Sequence, residues 1–87
     1  MIQPFYHLII RLRKLRGLSQ SVAADLLMID RTGLSHIEHG HREPGLSLII
    51  RMSTVYGVHP FELIIPLIPE EDARDNPYLS SYKKNSM

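Results

Sequence analysis

The chain has 87 residues, a formal net charge of +1 and no cysteine. These bound it to one small domain and exclude disulfide staples and thiolate metal sites. No apolar run approaches the roughly 20 residues needed to cross a bilayer, and Arg11, Arg13, Lys14 and Arg16 interrupt the apolar stretches near the start. A cytoplasmic protein without signal peptide or membrane partner is therefore expected.

Phe5, Leu8, Ile9, Leu12 and Leu15 recur at helical spacing and predict a first amphipathic helix that stops at Gly17. Ser19 can cap a second helix, whose buried stripe is Ala23, Leu26 and Leu27. Met28–Asp30 breaks the period, and Asp30 is an N-cap for a third helix with Leu34 and Ile37 inward and Gly40 at its end. Ser47 is expected to cap a fourth helix carrying Leu48, Ile49, Met52, Val55 and Tyr56, closed by Gly57. Pro60 suits the first position of a short fifth helix, with Glu62 near its positive end. The two prolines of Leu63–Pro69 predict an extended second half. The reading is all-α: a compact bundle of about five short helices over residues 1–69, then a polar tail over 70–87 expected to be flexible when free. Charge divides similarly. Residues 1–60 hold seven Lys/Arg against four Asp/Glu, a surplus of three, while residues 61–87 hold three against five, a deficit of two. A basic head that also holds all five histidines suits a polyanion.

The segment "GLSQSVAADLLMIDRTGLSHIEHG", Gly17–Gly40, joins two predicted helices through three or four residues, so the first can brace the second against a groove about 12 Å wide. It resembles the phage-repressor (Cro- and Xre-type) helix-turn-helix family. The likeness runs from about Leu8 to Ile64 and includes the "LSQ" opening, Ala24, Leu34, Ile37, and "IEHG" followed by a basic residue and proline. The resemblance implies a lambda-repressor-like fold that binds double-stranded DNA, with no catalytic residue, metal or cofactor. Anchored by Leu34 and Ile37, the third helix presents Arg31, Thr32, Ser35 and His36 as base-reading candidates, and Gly33 would let its backbone approach DNA closely. Periodicity alone is equally compatible with a solvated polar face. The resemblance also implies that Gln20, with Ser19 beside it, bonds a phosphate, and that Glu38 pairs with Arg13 in the interior. Arg16, His39, His41 and Arg42 are phosphate candidates by position and charge. Met28 stands where the family has glycine. Either it takes a left-handed conformation, at about 1 kcal/mol, or the turn differs and the third helix tilts differently.

"HIEHGHREP", residues 36–44, puts three histidines within nine positions. His36 and His39 at i, i+3 could share a metal with His41, but His41 lies past the helix end and His36 occupies a base-reading position. Phe61, Ile64, Ile65, Leu67 and Ile68 offer more apolar surface than a small domain easily buries, which points to a homodimer interface; the alternative is packing over the chain's own core. The expected function is a transcriptional regulator, a repressor on a palindromic operator. The alternative is an antitoxin or controller that also binds a partner protein through residues 70–87.

Overall fold

The computed structural model describes residues 4–78, and among these every regular element is helical. They are α1 (Phe5–Leu15), α2 (Gln20–Leu27), α3 (Arg31–Glu38), α4 (Leu46–Tyr56), α5 (Pro60–Ile64), a 3-10 turn (Ile65–Leu67) and α6 (Glu70–Arg74). None is long and apolar enough to cross a membrane. The core gathers Ile9 of α1, Ala23 and Leu27 of α2, Leu34 and Ile37 of α3, Met52 and Tyr56 of α4 and Leu63 of α5, each almost fully removed from water. Each large apolar side chain buried this way stabilises the fold by about 1.5–3 kcal/mol. α2 packs on α3 and α4, α1 on α3 and α5, and α4 on α5.

The helix starts follow the sequence in two cases. The Ser19 hydroxyl accepts from the Val22 N–H at 3.1 Å, and the Asp30 carboxylate from the Gly33 N–H at 3.2 Å. α4 departs from expectation. Its N-cap is Gly45, which makes no side-chain cap bond, and Ser47 falls inside the first turn. Buried Pro44 brings the chain in so that the helix starts one residue after Gly45. α5 has an unforeseen cap: His59 Nδ1 accepts from the Phe61 N–H at 3.1 Å, ahead of Pro60 in the first helical position.

The turn between α2 and α3 settles the question raised by Met28. Met28 has φ 61° and ψ 38°, within the left-handed region. Its N–H donates to the Asp25 carbonyl at 3.1 Å and the Ile29 N–H to the Ala24 carbonyl at 3.0 Å. That is the hydrogen-bond pattern glycine ordinarily supports at a helix end, here imposed on a side chain that stays 75% exposed.

Three apolar expectations are corrected. Leu15 is 74% and Leu26 50% exposed. The buried stripe of α1 steps Phe5, Ile9, Arg13, and Leu15 lies about 200° around the helix from Arg13. On α2 the stripe is Ala23, Ala24 and Leu27, which leaves Leu26 at its edge. The chain after Ile64 is not extended at once: Ile65–Leu67 form the 3-10 turn, and only Ile68 takes extended angles. The tail expectation falls partly outside the described residues; within them Glu70–Arg74 is helical, with three acids at its positive end and Arg74 at the other.

Candidate nucleic-acid interface

α3 is amphipathic by burial. Gly33, Leu34, Ile37 and Glu38 face inward, whereas Arg31, Thr32 and His36 are exposed and Ser35 is half-buried. Among the described residues, Arg31 and Thr32 make no side-chain hydrogen bond. α3 thus projects an unbonded guanidinium and a hydroxyl from its first turn and an imidazole one turn later. Such groups can address base edges: two parallel donors for guanine, a hydroxyl of either polarity, and a methyl for thymine.

Its orientation is fixed by an internal polar cluster. Arg13 of α1 donates through Nε to Glu38 Oε2 at 2.6 Å and through its terminal nitrogen to Oε1 at 3.1 Å. A third bond runs to the Leu18 carbonyl at 2.9 Å. Gln20 Nε2 donates to Glu38 Oε1 at 2.9 Å. The carboxylate therefore accepts three bonds and ties α1 and α2 to α3, while Arg13 also holds the α1–α2 turn. Arg13 is 9% and Glu38 3% exposed, so the pair is desolvated and each partner requires the other. Tyr56 of α4 lies beside it. Burial, and then the negative charge of Glu38, push its phenol up to about 12, against a smaller opposite effect of Arg13.

Two candidates have other work. Arg16 Nε donates to the Tyr56 carbonyl at 3.0 Å, and its guanidinium fills the space a Cβ at Gly57 would need. It closes the carboxyl end of α4, where a cation is favoured, rather than standing free for a phosphate. Gly33 is buried, with the Asp30 carboxylate 2.7 Å and Arg42 3.5 Å from where its Cβ would lie. The missing side chain makes room for the cap and for Arg42, and this corrects the expectation of an open backbone face there.

The histidines do gather. His36 and His41 lie edge to face with ring centroids 6.5 Å apart, and His39 and His41 are nearly parallel at 6.1 Å. His39 Nδ1 lies 2.7 Å from the Ser35 carbonyl, which can only accept, so that nitrogen carries a hydrogen. Among the described residues no group of three or more His, Asp or Glu is arranged to hold a metal ion. Two contributions escaped the sequence reading. Tyr6 packs its ring where a Cβ at Gly40 would lie, 3.4 Å away, and so braces the loop after α3. Arg51 donates to the Leu27 carbonyl at 2.9 Å and closes α2. No local pattern announces a bond to a distant backbone carbonyl.

The expected dimer residues divide. Ile65 is 2% exposed and belongs to the interior, a correction to its place at an interface. Ile64 and Leu67 pack on the core, and Phe61 and Ile68 are half-buried.

The helix-turn-helix family model matches residues 9–63. The chain belongs to this Cro/Xre-type family and is a DNA-binding transcriptional regulator. Two solved structures agree. The restriction-modification controller protein C.AhdI from Aeromonas hydrophila is 34% identical with a TM-score of 0.64, over 68% of this chain and 89% of that one. The hypothetical transcription factor NHTF from Neisseria is 28% identical with a TM-score of 0.65, over 78% and 73%. No curated protein matches.

Proposed function

We propose that the chain is a repressor that acts in the cytoplasm as a homodimer on a palindromic operator, with Arg31, Thr32, Ser35 and His36 reading bases. The observation that carries this reading is the outward row of Arg31, Thr32 and His36 on a helix whose inner side is pinned by Glu38. Gln20 (with Ser19 beside it), His39, His41 and Arg42 surround that row as phosphate contacts, with Gln20 held in place by Glu38. One recognition helix reads too few base pairs for a unique site. Two protomers place a pair of them about 34 Å apart on one face of the duplex. Phe61 and Ile68, with the outer edges of Ile64 and Leu67, are the surface proposed for that pairing.

The test is selection of bound duplexes from a random pool, followed by the same selection with Arg31→Ala. An inverted repeat is expected, with preference relaxed at one base of each half-site and affinity lower by about 1–3 kcal/mol. Unchanged preference would refute the assigned helix face.

A controller role is the second reading, favoured by the likeness to C.AhdI. In it the segment 70–87 meets a protein partner. A chain lacking residues 70–87 that binds the operator normally but no longer regulates would favour it.

A further inference from the structure

Residues 36–42 bring His36, His39 and His41 into one exposed cluster, with Arg42 next in the chain. The charged and titratable groups around it give it no internal counter-ion. From α3, Glu38 is bound to Arg13 and Gln20 on the buried side, and Asp30 caps the opposite end through Gly33. α1 brings Tyr6, which lies against Gly40, and His7, whose ring meets that of Tyr6 at 4.6 Å. The exposed cations of α1 are Arg11 and Lys14. In the loop Arg42 adds positive charge and Glu43 is the one acid. α2 meets α3 through Gln20, which is bonded to Glu38, and carries one exposed carboxylate, Asp25. The ion pair of Arg13 with Glu38 lies on the buried side of α3.

With its Nδ1 hydrogen held by Ser35, His39 can take a second proton only on Nε2. That adds one outward N–H donor and one positive charge without disturbing the helix end. His41, its ring nearly parallel to that of His39, also gains a positive charge when it takes a proton. Three imidazolium rings this close repel one another in the free protein, and an external polyanion relieves that repulsion.

We infer that this cluster couples DNA affinity to pH: the duplex phosphates supply the missing counter-ion, and the protein takes up protons on the imidazoles as it binds. The inference rests on the DNA-binding reading and deepens it. Binding then tightens as pH falls, because the bound state holds more protons than the free one.

The experiment measures affinity for the pool-selected duplex at pH 8, 7 and 6 and fixed salt. Proton uptake is read by calorimetry in two buffers of different ionisation enthalpy. The wild-type chain is expected to gain about tenfold or more from pH 8 to pH 6, as uptake of at least one proton per protomer requires. His39→Gln with His41→Gln should make that slope shallower and reduce the uptake to the share of His36. His59→Gln, at the start of α5, should keep both. A selected duplex bound equally at all three pH values, or a slope unchanged in the double variant, overturns the linkage while DNA binding stands. A slope lost in His59→Gln also overturns it. If no duplex is selected at any pH, DNA binding itself fails and takes this inference with it.

Discussion

Gln20 of α2 donates its amide to Glu38 of α3 across 2.9 Å, on the same oxygen that accepts from Arg13. A residue proposed to meet a phosphate is thus joined to the interior pair that orients α3. In that proposal, position on the DNA and angle of α3 depend on one carboxylate.

Replacing Glu38 by alanine leaves a buried guanidinium without its partner, and chemical denaturation should show a loss of about 3–5 kcal/mol. Gln20→Ala removes a half-buried amide and should cost no more than about 1.5 kcal/mol, while weakening binding to specific and random duplexes alike. A loss confined to the specific duplex would place Gln20 among the base contacts instead.

Met28→Gly tests the turn. The side chain is exposed, so little burial is lost, and relief of the left-handed backbone should raise stability by up to about 1 kcal/mol. The urea midpoint should rise at unchanged slope. A lower midpoint would mean that the methionine side chain contributes contacts outweighing its strain.

Tyr56 predicts an alkaline signature. Its phenol ionises near 10 when unfolded and is pushed up to about 12 in the fold. The folded chain therefore holds that proton more strongly. This contribution is complete below pH 10 and is lost as pH rises from 10 towards 12, by at most roughly 1.4 kcal/mol per pH unit. Its hydroxyl has no protein hydrogen-bond partner among the described residues, so Tyr56→Phe should match or slightly exceed the wild type near pH 8. Above pH 10 the variant should pull ahead, and a stability difference constant from pH 8 to 11.5 would contradict the burial of that phenol.

For the proposed pairing surface, light scattering should give about twice the 10.0 kDa chain mass, and Ile68→Asp should shift it towards the monomer. A wild-type monomer at concentrations where it binds the operator would remove the dimer from the proposed function.

The helix caps were readable because they are local. Ser19 and Asp30 need only an oxygen three residues before an N–H, and both sit where the spacing placed them. The inner face of α3 was readable because Leu34 and Ile37 repeat at helical period. Leu15 misled because an apolar residue at the last turn fits the period without any element above it to bury it. Ile65 misled in the opposite sense: it counted towards an apolar surplus expected at an interface, and the 3-10 turn instead rotates it into the core. Arg16 and Arg51 could not be assigned, since their acceptors are the carbonyls of Tyr56 and Leu27, which any residue carries.

Arg13, Arg16 and Arg51 all hold acceptors within their own fold. Of the seven Lys/Arg in residues 1–60 this leaves Arg11, Lys14, Arg31 and Arg42 facing solvent. Each phosphate neutralised releases condensed counterions and adds about −0.9 to the slope of log affinity against log salt. Arg31 aside, the three others of each protomer would in the proposed dimer give a slope of up to about −5, so affinity for any duplex is expected to fall steeply with salt. The ratio between two sites, set by base contacts that release no counterions, is expected to change less.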